Sequence, residues 1–341
     1  NTSGDGAASR RVGLGYHPDL PDMRDFVLGA SKSSWNSHLN SVVSDVIDSI
    51  KEANARLELA AQKKNPTKKA VNEAQREFAS YLKGDPHADP LPQKHDLRLT
   101  GHFTPVEDQG ELGSCTAQAV IGLVEYLMRA GGDLQPDMSR LFLYKTSRKL
   151  LGWNGDTGAY LRTTIKAMAL FGVPPESENP YIEDQFDAEP DAYLFAFAQN
   201  FKASVYARLD GYGSNTNGVE TLDRVKRALL DGFPVTFGFP VYSSIDSTGP
   251  STGYVIPIPR PSDRVEGGHA VLAVGYDDNI ECGTGVDGRP AKGALIIRNS
   301  WGAEWGMEGY AYFPYEYVEQ QWAVDFWTIF NRKWLKLENF A

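Results

Sequence analysis

Apolar positions in the first quarter of the chain recur at helical spacing, whereas those in the second half gather into short runs of strand character. Leu39, Val43, Val46, Ile50, Ala53, Leu57 and Ala60 fall at alternating four- and three-residue steps, the stripe of an amphipathic helix. Asn65-Pro66 closes that run, because the residue before a proline avoids the helical region. Val71, Ala74, Phe78 and Leu82 make a second stripe that stops at Gly84-Asp85-Pro86. The pair predicts a helical hairpin over 36–83, which on periodicity alone is a solvated surface hairpin packed on its neighbour. Residues 1–35 are punctuated by Gly, Pro and Asp and read as loop.

Pro90 to Thr104 reads as a linker or extended entry strand, and from residue 105 the pattern becomes mixed. A helix is predicted from Cys115 to about Arg129, ended by Gly131-Gly132. Another covers roughly 159–171 and stops at Gly172. A third lies near 219–231, with Leu222, Val225, Ala228, Leu229 and Leu230 on its apolar side. Strands are predicted at PVTFGFPV (234–241), HAVLAVGYD (269–277), GALIIRNSW (293–301) and GYAYFPY (309–315). Helices first and strands later predict an α+β fold of two packed halves. The cleft between such halves is the usual place for a site.

Composition adds exclusions to this outline. The chain has 341 residues, 41% of them hydrophobic and 11% aromatic, enough for a sizeable core and more than one average domain. Its formal net charge is −10 and no Lys/Arg block stands out, which argues against nucleic acid as a partner. No apolar run reaches the ~18 residues of a spanning helix, so no membrane partner is expected. The stretch NTSGDGAASRR lacks the apolar centre of a signal peptide and looks like a tail left by processing; secretion is the expectation, with no export signal visible. Two cysteines cannot make a disulfide framework.

One of those cysteines has candidate chemistry. A cysteine nucleophile needs a thiolate, a base for its proton and donors for the oxyanion that forms. Cys115 follows Gly113-Ser114 and opens a helix, whose unpaired amides and positive dipole end favour S⁻. Gln109 lies just upstream and can donate its amide to an oxyanion together with the Cys115 N–H. His17, His38, His87, His95 and His102 stand in polar or loop-like surroundings; only His269 begins an apolar strand, after Gly267-Gly268. Asn299 in IIRNSWG is a candidate to orient that imidazole. Taken singly, each has a bland reading: a buried filler cysteine, a satisfied core histidine, an asparagine in a turn.

Together these residues carry a family resemblance. PVEDQGELGSC resembles the nucleophile segment of papain-like cysteine peptidases, GGHAVLAVGYD their histidine segment, and NSWGAEWGMEGYAYF their asparagine segment. GAYLRTTIKAMALFGV is similar to the helix between them, so that the likeness spans about 105–315. The resemblance implies a two-lobed fold, one lobe helical and one an antiparallel β-barrel-like lobe, with the cleft between them. It makes Cys115 the nucleophile, His269 the base and then acid, Asn299 the orienting group and Gln109 the oxyanion donor. Trp301 would cover the His–Asn hydrogen bond, although an ordinary core Trp fits the sequence equally well. Gly158-Ala159 and Gly268 would meet substrate backbone, and Leu161, Gly238 and Ala270 would line the pocket for the second residue before the cut. No metal or other cofactor is implied; the partner is a protein or peptide substrate.

The sequence departs from the family pattern in places. Leu112 and Thr116 replace the first Cys and the aromatic residue of Cys-Gly-Ser/Ala-Cys-aromatic. Leu112 would fill the first Cys's volume, whereas Thr116 would remove a wall of the cleft. An insertion at 279–293 carries Cys282, read as a free loop or packing residue. GYHPDLPDMRDF resembles the N-terminal segment of bacterial papain-like peptidases of the xylellain type, in which a short stretch covers the active site. This implies that residues 1–35 occlude the cleft as an intramolecular inhibitor, with PDMRDF near it and Asp22, Arg24 and Asp25 fixing the path. The hairpin and linker at 36–90 would hold that segment, and 91–341 would be the catalytic domain. The alternative is that the N-terminal part is a structural lobe or docking module. For the site itself, acyl transfer as in transglutaminases and a silent binding module stand as alternatives to hydrolysis.

Overall fold

The computed structural model describes residues 13–19, 90–132, 137–203, 205–211 and 217–330. The hairpin predicted over 36–83, and PDMRDF with Asp22, Arg24 and Asp25, lie outside the described residues. The expected α+β architecture is found. Helix α1 (Cys115–Ala130) is buried at every residue from Cys115 to Met128, enclosed by its neighbours, with Thr116, Gln118 and Glu125 as its buried polar positions. Around it pack α2 (Arg140–Leu151) and α3 (Leu161–Phe171). Ser139 caps α2 by accepting from the Phe142 amide. Two further helices are α4 (Ala192–Ala198) and α5 (Gly218–Leu230), the latter capped by the Asn217 side chain.

The second lobe is a seven-stranded sheet. Its strands are β2 (Lys94–Asp96), β4 (Val205–Arg208), β5 (Val235–Tyr242), β6 (Val265–Thr284), β7 (Pro290–Arg298), β8 (Tyr310–Pro314) and β9 (Val324–Phe330). They run in the order β4-β9-β5-β6-β7-β8, each pair antiparallel, with β2 added on β6. Among the described residues the path does not close, so the barrel-like lobe expected from the sequence is an open sheet. A bulge separates the two pairings of β5 with β9: Thr236 faces Trp327 and Gly238 faces Val324, so one extra residue is accommodated on β9. The insertion at 279–293 is no loop; it extends β6 and β7 as a hairpin. Cys282 sits on that hairpin as a buried free thiol packed with Val255, Ile258 and Ala294.

One continuous core joins the lobes, running from Val120 and Leu123 of α1 to Phe237, Val271, Leu272 and Phe313 of the sheet. A separate two-stranded ribbon lies at the cleft. There β1 (Tyr16–His17) pairs in parallel with β3 (Ala159–Tyr160), Tyr16 opposite Ala159. Among the described residues no helix is long and apolar enough to cross a membrane.

Candidate active site

The site forms where the first turn of α1 meets β6. Ser114 precedes the helix, but its hydroxyl is bonded to Tyr181 (2.7 Å) and does not cap it. Of the first-turn amides, those of Ala117 and Gln118 donate to the Ser114 carbonyl, and those of Cys115 and Thr116 act on the Cys115 sulfur, as a helix N-terminus suits an anion. Cys115 is fully buried. Burial pushes its thiol up to about 11, while the backbone amides of Ala270, Gly15 and Thr116 act to hold it down.

His269 opens the buried stretch of β6, opposite Phe239 of β5. Its Nε2 lies 2.7 Å from Asn299 Oδ1, which also accepts the Ser300 amide at 2.8 Å. An oxygen already accepting one N–H fixes the tautomer: Nε2 carries the proton and donates, so Nδ1 is the bare nitrogen. Nδ1 is buried without a hydrogen-bond partner. Burial pushes the imidazole down to about 4, and the bond to Asn299 acts upward. Trp301 stacks on the ring at 4.6 Å between centroids and keeps water from that hydrogen bond.

Gln109 is buried and oriented from both sides. Its Oε1 accepts the Ser300 hydroxyl at 2.6 Å, which turns Nε2 outward as a donor. Nε2 donates to Leu112 O at 2.8 Å and to Gly13 O at 2.9 Å. The Gly13 carbonyl thus takes one of the two bonds that Gln109 Nε2 makes, and Gly15, two residues on, acts on the Cys115 thiol through its amide. Tetrahedral chemistry of an acyl group needs such donors at its oxygen.

The remaining predicted residues surround the same strand. The Ala159 amide donates to Gly15 O at 2.7 Å. Gly158 has φ +73, and a Cβ there would lie 2.0 Å from Gly15 O, so only glycine fits. A Cβ on Gly238 would fall 2.0 Å from the Tyr16 ring, and one on Gly268 2.2 Å from Tyr16 O. Ala270 is paired with Gly238 across the sheet, and Leu161 is buried at the start of α3. Leu112 is buried; Thr116 is buried too, its hydroxyl accepting from Thr164 (3.1 Å), so it faces α3.

Sequence reasoning missed the far end of this pocket. The Tyr16 hydroxyl donates to Asp325, whose Oδ2 also accepts the Asp19 amide at 2.7 Å. Arg208 joins Asp325 (2.7 Å), Asp210 (2.9 Å) and Asp19 (3.8 Å), and Trp327 Nε1 donates to Asp19 at 3.1 Å. Burial, with Asp325 nearby, raises the Asp19 carboxyl to about 7 against the pull of Arg162 and Arg208. Gly13–Asp19, part of the 1–35 segment, lies along the cleft, while PDMRDF falls outside the described residues. The Asp in YHPD was the available signal, since a carboxylate beside an apolar ring rarely enters a core unpaired.

A buried thiol at a helix start, an imidazole with one free nitrogen, an amide bonded to that ring and a second, donating amide are the parts of a cysteine-hydrolase type of site. The sequence pattern of the papain family cysteine proteases matches residues 91–322, and the chain belongs to that family. Its fold is that of xylellain, a cysteine protease from Xylella fastidiosa: 31% identity, a TM-score of 0.62, and coverage of 94% of this chain and 96% of that one. An uncharacterized peptidase C1-like protein of Acanthamoeba polyphaga mimivirus is 36% identical over 227 residues, 65% of this chain and 68% of that protein. Cathepsin K of Gallus gallus is 31% identical over 224 residues, covering 64% of this chain and 58% of its own length.

Proposed function

We propose that this chain is the closed form of a papain-type cysteine peptidase, which hydrolyses peptide bonds through a thioester on Cys115 and is inhibited by its own N-terminal segment. The single observation carrying this reading is the Gly13 carbonyl on the Gln109 amide with the Gly15 amide on the Cys115 sulfur. The segment fills the reactive position, yet its polarity protects it. A substrate places the second residue before the cut upstream of the attacked carbonyl, whereas Tyr16 lies in that pocket downstream of Gly13. The parallel pairing of β1 with β3 expresses the same reversal.

Once the segment has left, each group has one task. Cys115 gives its proton to the bare Nδ1 of His269, and Sγ attacks the substrate carbonyl. The resulting oxyanion takes the place of Gly13 O, held by Gln109 Nε2 and the Cys115 amide. Collapse expels the amine, which takes the proton from His269 and leaves a thioester on Sγ. Water then attacks the thioester, giving its proton to His269; collapse frees the carboxylic acid, and His269 returns the proton to the thiolate. Asn299 keeps the ring in position throughout, beneath Trp301. Gly158, Ala159 and Gly268 carry substrate backbone, while Gly238, Ala270 and Leu161 bound the pocket.

A peptidyl epoxide that alkylates active-site thiols tests this reading. The expected result is slow labelling of the intact chain and fast labelling at Cys115 after the N-terminal segment has been cut. Absence of label at Cys115 in the cut protein would overturn the peptidase assignment; equal rates before and after cutting would overturn the inhibition.

A further inference from the structure

The pocket under Gly238 is characterised by what fills it. The Tyr16 ring lies where a Cβ is missing from Gly238, its carbonyl oxygen where one is missing from Gly268, and its hydroxyl reaches Asp325. Two independent features aim that carboxylate inward. The β9 bulge opposite Thr236–Gly238 falls on the residues between Val324 and Trp327. Asp325 also has φ +61, a conformation uncommon for a residue with a side chain, and Asp210 holds it there by accepting the Asp325 and Phe326 amides at 2.9 Å each.

We propose that Asp325 is the specificity-determining residue of this pocket, and that the pocket selects an aromatic side chain ending in a hydroxyl as the second residue before the cleaved bond. The proposal rests on the peptidase reading for its site and names the substrate class that the site takes. Asp325 Oδ1 is already bonded by Arg208, while Oδ2 has two donors, the Tyr16 hydroxyl and the Asp19 amide, which both belong to the segment. Departure of the segment takes both away from a buried acceptor. A phenylalanine or leucine in the pocket leaves Oδ2 without them, and a tyrosine restores one at the same point. Sites built around a hydroxyl reject the analogue that lacks it far more strongly than apolar pockets reject an extra methylene. A cationic side chain would face Arg208, which already pairs with both Asp210 and Asp325. Burial and Asp325 push the Tyr16 phenol well above its ordinary value, so it serves as a donor at any working pH.

The test uses the full chain after its N-terminal segment has been cut, the state in which the proposed peptidase is open, so that the pocket is empty of its own ring. Acetyl-X-Arg-aminomethylcoumarin peptides with X as Tyr, Phe, Leu or Lys are measured twice: by hydrolysis, and by equilibrium binding to the same chain carrying Cys115→Ala. Tyr is expected to bind at least about tenfold more tightly than Phe, from the hydrogen bond to a charged acceptor. Asp325→Leu is expected to erase the Tyr-over-Phe difference while Phe still binds. Phe, Leu or Lys binding as well as Tyr would overturn the proposal, as would a Tyr preference that survives Asp325→Leu. If that variant loses its cooperative melt, the Tyr and Phe comparison on the unaltered pocket decides alone. A Tyr preference in binding without any coumarin release would sink the peptidase reading and leave the pocket; release with Phe favoured over Tyr would do the reverse.

Discussion

At one end of the cleft, Cys115, His269, Asn299 and Gln109 form a set without formal charge in the closed state, the thiol pushed up and the imidazole pushed down by the same burial. At the other end, Asp19, Asp210, Asp325, Arg162 and Arg208 gather around one phenol. The first set is assembled from short local segments: Ser300, beside Asn299, orients Gln109 from 191 residues away, and the Ser114 carbonyl starts the helix that carries Cys115. The second joins residues from opposite ends of the chain and is compensated only while complete, since a buried charge without its partner is costly. The difference separates two jobs. The reactive end stores potential charge that appears on opening, whereas the anchoring end holds charge already balanced.

Breaking the anchoring end is expected to act mainly on stability. Arg208→Met leaves Asp210 and Asp325 buried without their shared cation, a loss of about 3–5 kcal/mol. Denaturant unfolding of the intact chain measures it. A loss below about 1 kcal/mol would show that the carboxylates are protonated or solvated, and the contrast between the two ends would fail.

Gln109→Ala makes the opposite case. Its amide acts on an oxygen that carries charge only during reaction, so kcat of the cut enzyme should fall about 10²–10³-fold. Stability should change much less than in Arg208→Met. Kinetics referred to the number of titratable Cys115 thiols, beside a melting curve, give both numbers. An unchanged kcat would remove Gln109 from the reaction.

The same division explains what could be read from the sequence. The reactive end was legible because each of its residues sits in a short segment with local meaning: Gly-Ser-Cys at a helix start, Gly-Gly-His at a strand, Asn-Ser-Trp-Gly at a strand end. Helices α1, α3 and α5 and strands β5 to β8 were legible by period. Helix α2 was not, because Arg140, Lys145 and Arg148 occupy buried positions on it, paired with Glu107, Glu176 and Asp187, and break its apolar stripe. Strand β9 was hidden likewise by Asp325, a charge inside an apolar run whose partners lie more than a hundred residues away. Nothing local marks Tyr16, Arg208 or Asp210 as members of one pocket. Long-range charge pairing has no period and no motif.

Separating the segment from both ends at once gives a third comparison. A Cβ on Gly15 would lie 1.8 Å from Gly113 O, between backbones that cannot yield. Gly15→Val should therefore expel the segment without touching Cys115, His269 or Asp325. Overpacking of up to about 3 kcal/mol corresponds to a rise on the order of 100-fold in epoxide labelling of the intact chain. No rise would mean that the segment does not limit access to the thiol.

The smallest effect tests whether the two ends are linked through protons. Docked, Asp19 has a carboxyl raised to about 7 from 3.8, facing Asp325, Arg162 and Arg208. Its share of docking is fully present below about pH 3.8 and is lost as pH rises through 7. His269 is the reverse: lowered from 6.5 to about 4 beside Asn299 and Trp301, it favours docking fully above 6.5 and progressively less as pH falls toward 4. Between about pH 4 and 6.5 docking takes up one proton at Asp19 and releases one at His269, so the two slopes cancel. Asp19→Asn removes one of them. Docking of the variant should then weaken about tenfold for each pH unit lost between 6.5 and 4, while the parent chain stays nearly flat. Hydrogen exchange of the Ala159 amide, which donates to Gly15 O, reads this directly once corrected for intrinsic rate. A flat variant would mean that His269 does not titrate with docking, and the ends of the cleft would then act independently.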